Sequence, residues 1–229
     1  MLNGYEFIGF DADDTLWINE PYYQEAEQKL SELLSSFLSA KSLSSELFKT
    51  ETGNLERFGY GAKAFTLSMI ETALRVSNQQ VSQTVISKIL DIGKELIEKP
   101  VILLDGVKET VVKLSQEGKK MIIATKGDLL DQERKLENSG IAQYFHHIEI
   151  MSDKQDADYT KLLKKLNIAP KDFLMIGNSL KSDVLPVLNI GGQAIHIPYH
   201  TTWEHEKVSI EKKERKYSEI KHISELLKN

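Results

Sequence analysis

Phe7-Ile8-Gly9-Phe10-Asp11-Ala12-Asp13-Asp14-Thr15-Leu16 is the stretch that decides the fold of this chain. A short apolar run bounded by a polar turn reads as a strand buried on both faces, as inside a parallel sheet. Ligands of open α/β sheets sit outside the carboxyl ends of the strands, where Asp11, Asp13 and Asp14 fall. Such closely spaced carboxylates repel one another unless a cation or a phosphate-linked task holds them together. The plainer alternative is an acidic turn that caps a helix, with Asp13 or Asp14 as N-cap.

Beyond this turn the pattern becomes helical for roughly eighty residues, far longer than a plain crossover needs. Ala26, Leu30, Leu33, Leu34 and Phe37 fall at helical spacing, with Pro21 near the helix start. Serines between 39 and 45 punctuate that helix, a short segment follows around 46–48, and a glycine-flexed loop is expected over 53–61. Phe65, Met69, Ala73 and Val76 mark a second long helix. Val85, Ile89, Ile92 and Leu96 mark a third, stopped by Pro100.

From Val107 onward strands and helices alternate. The apolar spacing predicts a helix ending near Gly118, a strand over 120–125, a charged helix over 129–138 and a strand over 145–151. Tyr159, Leu162, Leu163 and Leu166 form a helix face, 173–176 a strand, Val184 and Leu188 a helix, and 193–198 the last clear strand. A solvated charged run over 211–216 precedes a terminal strand and helix over 220–227. The expected architecture is α/β: a Rossmann-like parallel sheet core of residues 1–16 and 101–229, with residues 17–100 inserted as a helical cap domain after the first strand.

With 41% hydrophobic and 28% charged residues, the 229-residue chain has the make-up of a soluble globular protein. A net charge of −5 offers no basic field for nucleic acid or anionic lipid, so neither is expected as a partner. The absence of cysteine rules out disulfides, thiolate catalysis and Cys-ligated zinc. No basic-then-apolar leader opens the sequence, and no apolar run nears the ~20 residues that span a bilayer. A cytoplasmic setting follows as an expectation.

Parallel strands would bring four polar strand ends to one edge. These are Asp11 with Asp13, Thr125-Lys126-Gly127-Asp128, Ser152-Asp153-Lys154, and Gly177-Asn178-Ser179 with Asp183. They supply a nucleophilic carboxylate, a second carboxylate able to shuttle a proton, a hydroxyl, an ammonium and a further acid. Phosphoryl transfer needs that set: an in-line attacker, a proton donor for the leaving oxygen, and positive groups for the equatorial oxygens.

The run Asp11-Ala12-Asp13-Asp14-Thr15 resembles the Asp-x-Asp-x-Thr motif of the haloacid dehalogenase (HAD) superfamily, and the resemblance covers the whole chain. In that family the insertion between the first two motifs is a mobile helical cap of the C1 type, which residues 17–100 match in position. The resemblance implies that Asp11 attacks phosphorus and becomes an aspartyl phosphate. Asp13 would protonate the leaving oxygen and then deprotonate water, and Thr125 and Lys154 would bind phosphoryl oxygens. It also implies Mg2+ as cofactor, held by Asp11, the backbone carbonyl of Asp13 and Asp183, with Asn178 nearby. Asn178 is a departure, because most phosphatases of the family carry Asp there; an amide oxygen ligates without adding charge, and weaker metal binding is expected.

Other readings stand beside these. Thr15 reads as a turn hydroxyl that orders its loop, Thr125 as buried strand filler, Lys126 as a surface charge and Asp128 as a helix N-cap. Lys161, Lys164 and Lys165 compete with Lys154, but lie on a helix with an apolar opposite face and suit solvent. Arg57, Tyr60 and Lys63, in the glycine-flexed run 57–63, together with Lys126 and Gly127, are candidates to bind an anionic substrate; a plain inter-helix turn is the alternative. The run from Tyr199 to Glu206, with two His and a Trp, reads as a rim or lid element. The expected activity is hydrolysis of a small phosphorylated metabolite. A dehalogenase, a phosphomutase, a phospho-accepting receiver module and a weakly catalytic binding protein are the alternatives.

Overall fold

The computed structural model describes residue 2 and residues 4–201, 203–206 and 217–228. The strand β1 (Phe7–Phe10) lies inside a six-stranded sheet with β2 (Lys120–Lys126), β3 (His147–Met151), β4 (Phe173–Gly177), β5 (Gln193–His196) and β6 (Ser218–Glu219). The order is β3-β2-β1-β4-β5-β6 and every pairing is parallel. That order reverses direction between β1 and β4, and the crevice at such a switch point is where doubly wound sheets bind their ligands.

Alternation along the strands builds two cores. Ile8, Phe10, Met121, Ile123, Leu174 and Ile176 face one side, against Val107, Val111 and Leu114 of α5 (Val107–Gln116), Leu136 of α6 (Leu129–Ser139), and Ile223 and Leu226. Ile122, Ala124, Phe173 and Met175 face the other, against Tyr159, Leu162 and Leu163 of α7 (Asp156–Lys165) and Val187 of α8 (Leu185–Asn189). Burial of both faces explains why the strands read as continuous apolar runs. Gly9 is needed in β1 because a Cβ there would stand 2.5 Å from the Phe173 ring.

The chain divides into two compact units: Met1–Glu20, Val101–Lys126 and Gln132–Asn229 in one, Pro21–Pro100 and Gly127–Asp131 in the other. The second unit has its own core, in which Leu30, Leu43, Leu47, Phe65, Met69, Ile89 and Leu96 are buried. Its helices are α1 (Glu20–Leu33), α2 (Ala40–Phe58), α3 (Ala62–Val76) and α4 (Gln83–Ile97).

Two expectations for this region fail. Ser39 caps the start of α2, accepting from Ser42 N, so the serine-rich stretch begins a helix, while α1 has already ended at Leu33. The helix then runs through Gly53 to Phe58, where a loop was expected. Gly53 has open space around it, and it weakens a helix by only ~1 kcal/mol. Meanwhile Asn54 is locked by bonds to Ser68 (3.2 Å) and Glu71 (2.8 Å) on α3. The third strand begins at His147 rather than at Phe145, with Ala142–Tyr144 in a tight turn before it. The expected charged run over 211–216 lies outside the described residues.

Candidate active site

Phe10 is in register with Ile123 on one side and Ile176 on the other. The chain therefore leaves β1 at Asp11 with its N–H still donating to Ile176 O (2.9 Å). That places the Asp11 carboxyl at the switch point, buried to 7% exposure. The neighbouring acids part at once. Asp14 takes a left-handed backbone (φ 62°) and accepts from Asn19 N (2.8 Å) and Glu20 N (2.9 Å), tying the turn to the start of α1. Its carboxylate thus caps α1 from six residues away rather than as the flanking N-cap of the plainer reading, and burial raises its pKa to about 7 despite those bonds. Thr15 bridges two strand ends: its hydroxyl donates to Asp11 Oδ2 (2.9 Å) and accepts from Asn178 N (3.0 Å).

The centre of the site is Lys154. Its side chain is 1% exposed, and Nζ lies 2.6 Å from Asp11 Oδ1 and 2.6 Å from Asp183 Oδ1. Asp183 is brought there by a widened helical turn, Leu180–Val184, in which Val184 N reaches five residues back to Ser179 O. Such turns recur at functional sites. Asp183 Oδ2 also accepts from Ser179 N (2.9 Å). Gly177 makes room for it, since a Cβ there would lie 2.2 Å from that oxygen.

Two carboxylates against one ammonium leave a buried excess of negative charge. Burial and the charge of Asp183 push Asp11 up to about 7, more than Lys154 pulls it down. Burial works against the Lys154 ammonium, but Asp11 and Asp183 outweigh it and hold its pKa well above the ordinary value. A divalent cation would reverse this balance and favour the ionised form of Asp11. Among the described residues, no three His, Cys, Asp or Glu side chains come together to hold a metal ion. The donors brought to this cluster are the carboxylates of Asp11 and Asp183, with the Asn178 amide oxygen reached through Thr15, whose hydroxyl lies 2.9 Å from Asp11 Oδ2 and 3.4 Å from Asn178 Oδ1. All are hard oxygens, and Mg2+ commonly takes one or two carboxylates and completes its shell with water and phosphate.

Asp13 stands apart from this triad. Its Oδ1 accepts from Trp17 Nε1 (2.7 Å) and Lys135 Nζ (3.0 Å), and its Oδ2 from Gln132 Nε2 (2.7 Å). Sequence reading missed all three donors. Gln132 and Lys135 share a face of the weakly patterned helix α6 at i, i+3 spacing, but that spacing carries no pointer to a residue 119 and 122 positions earlier. Thr125 is buried near the end of β2, two positions past the Phe10–Ile123 pairing and so beside the start of the Asp11 turn.

Lys126, an expected substrate contact, pairs with Glu206 Oε1 (2.5 Å) and donates to Ser182 Oγ (2.9 Å). Arg57, Tyr60, Lys63 and Gly127 belong to the helical unit. There the exposed Arg57 guanidinium donates to Gly53 O (3.3 Å), from the last turn of α2 rather than from a loop. Lys63 pairs with Asp128 (3.0 Å), which also accepts from Asp131 N at the start of α6 as its capping residue. The two histidines of the 199–206 run do not converge. His200 stacks near Tyr199, whereas Nε2 of His205 lies 2.8 Å from Lys181 Nζ.

Comparison with known proteins agrees with this geometry. The family model for haloacid dehalogenase-like hydrolases matches residues 5–191. A solved haloacid dehalogenase-like family hydrolase from Xanthomonas campestris superposes with a TM-score of 0.86 at 37% identity, covering 97% of this chain and 88% of that one. A predicted phosphoglycolate phosphatase from Haemophilus somnus shares the fold at 16% identity, with a TM-score of 0.67 over 100% of this chain and 99% of that one. A glyceraldehyde 3-phosphate phosphatase from Pyrococcus furiosus is 28% identical over 100 residues, 41% of each chain. The chain thus spans about two fifths of the length of that curated relative.

Proposed function

The chain belongs to the haloacid dehalogenase-like hydrolases, and from that premise we propose that it hydrolyses phosphomonoesters of small metabolites through a transient bond between Asp11 and phosphorus. The observation that carries this reading is Lys154, with Asp11 and Asp183 both 2.6 Å from its nitrogen at the switch point of the sheet. The name of the Pyrococcus relative adds support for a small phosphate ester as substrate.

In the first step an oxygen of Asp11 attacks phosphorus as the bond to the leaving oxygen breaks, and Asp13 gives that oxygen its proton. In the second, Asp13 takes a proton from water as the water attacks phosphorus, the bond to Asp11 breaks, and inorganic phosphate leaves. Thr125 and Lys154 bind the phosphoryl oxygens, and Lys154 restrains the charge on Asp11. Asp11, Asp183, the Asn178 amide oxygen and the Asp13 carbonyl would hold Mg2+, which supplies the positive charge that lets one anion attack another. The neutral Asn178 makes that binding weak, by roughly 10–100-fold against a carboxylate. We assign residues 17–100 as the cap, with Arg57, Tyr60 and Lys63 recognising the substrate beyond its phosphate, and residues 1–16 and 101–229 as the catalytic core.

A panel of phosphorylated metabolites and p-nitrophenyl phosphate, assayed with Mg2+ and with chelator, tests the proposal. Turnover that requires Mg2+ and disappears in Asp11→Asn is expected. Release of halide from 2-haloacids without metal, or binding of phosphometabolites without turnover, would contradict it.

A further inference from the structure

Glu206 takes no part in the mechanism above, yet it is among the most firmly held carboxylates at this edge. It comes from the short turn Glu204–Glu206 after β5. The turn is anchored by Glu206 N on Trp203 O (2.9 Å) and by Lys181 Nζ on His205 O (3.0 Å). Three donors from two strand ends converge on the carboxylate. Lys126 Nζ meets Oε1 at 2.5 Å, Ser182 Oγ meets Oε2 at 2.6 Å, and Ser179 Oγ makes a short bond to Oε2. The three donors are also linked, since Lys126 donates to Ser182 Oγ (2.9 Å) and Ser182 N donates to Ser179 Oγ (3.0 Å). Burial raises the pKa of Glu206, but Lys126 and the two hydroxyls pull it further the other way, to about 2.

Each donor adjoins a group assigned to the reaction. Lys126 follows Thr125, Ser182 precedes Asp183, and Ser179 follows Asn178 and gives its N–H to Asp183. We propose that Glu206 is a positioning residue, whose carboxylate clamps the end of β2 to the loop after β4 and so fixes Thr125, Asn178 and Asp183 against Asp11. The inference rests on the phosphohydrolase reading only for the reaction being served; the carboxylate clamp stands on geometry.

A positioning role differs from a merely structural one because a free carboxylate can replace the missing one. Glu206→Ala leaves a space the size of acetate, lined by one ammonium and two hydroxyls, which formate can enter. The expected result is a fall in kcat of about 10–100-fold, the range for partners that orient functional groups, with KM moving less and added formate restoring part of kcat. Wild type should not respond to formate. Glu206→Gln keeps the volume and can still accept from the serines but gives Lys126 no counter-charge, so it should fall between the two without responding to formate. It carries the test if the alanine variant does not fold.

Wild-type kcat in either variant would overturn the proposal, as would a lower melting temperature in Glu206→Ala with no formate effect on kcat. If the wild-type protein turns over no phosphomonoester, the functional reading fails by itself. The clamp is then judged by melting temperature: a formate-dependent rise in Glu206→Ala that is absent from wild type supports it, and no rise overturns it.

Discussion

Two lysines stand at the same sheet edge, and their surroundings push carboxylates in opposite directions. Lys154, 1% exposed, is shared by Asp11 and Asp183, and Asp11 is held up at about 7. Lys126, 14% exposed, faces Glu206 together with two serine hydroxyls, and Glu206 is held down at about 2. The chemistry of each pair is the same, ammonium to carboxylate at hydrogen-bond distance. What differs is the balance of charge and donors: two anions per cation in one cluster, and one anion with a cation and two hydroxyls in the other. A salt bridge alone therefore says little about which way a carboxyl titrates. In this reading, the acid-rich cluster is ready to accept positive charge and the balanced one is a fixture.

Removing the central cation should break the contrast most severely. Lys154→Met leaves Asp11 and Asp183 buried without their partner, which costs about 3–5 kcal/mol when one member of a buried pair is lost. A urea melt at neutral pH should show that loss, and turnover should vanish with it. Stability within about 1 kcal/mol of wild type would mean that the two carboxylates are not charged together, against the reading of this cluster as a cation site.

Asp13 belongs to neither cluster, being held by Trp17, Gln132 and Lys135. As the proposed proton donor to the leaving oxygen, it should matter by about 10²–10⁴-fold in kcat, the usual range for general acid–base catalysis. Asp13→Asn should show the larger loss on alkyl phosphates and a smaller one on p-nitrophenyl phosphate, whose leaving group departs without a proton. Equal losses on both substrates would remove Asp13 from proton transfer.

The smallest effect concerns the balanced cluster and acid stability. The folded pKa of Glu206, about 2, lies below the ordinary 4.5. Its ionised form therefore stabilises the fold fully above pH 4.5, and that contribution fades as the pH falls toward 2. Wild type should exceed Glu206→Gln by about 1.5–3 kcal/mol near neutrality, the worth of a hydrogen bond to a charged group. The gap should close on acidification. A gap independent of pH would mean that Lys126 does not stabilise the charge.

How far these features were legible in the sequence follows from how local they are. The strand before Asp11 and the alternation after Val107 are carried by runs of adjacent apolar residues, so both could be read directly. Asp11, Lys154 and Asp183 could be placed at one edge because parallel strands put their ends together, and a short polar run follows each strand. The continuous helix α2 was not legible, because Gly53 and the serines at 39–45 carry local signals for a break. Packing against α3, through Asn54 with Ser68 and Glu71, overrides them. In the sequence Glu206 stands out only as the end of a run with two His and a Trp. Its partners Lys126, Ser179 and Ser182 lie up to 80 positions away, and no spacing rule connects such residues. The same holds for Asp13 with Gln132 and Lys135, more than a hundred positions apart.

The central claim is that Asp11 bonds to phosphorus. The direct test is to quench the protein in acid during steady turnover of a phosphomonoester, digest it, and weigh the peptide that contains Asp11. One added phosphoryl group on that peptide, absent in Asp11→Asn and absent without substrate, is the predicted result. Sustained turnover with the Asp11 peptide unmodified at every quench time would contradict the account.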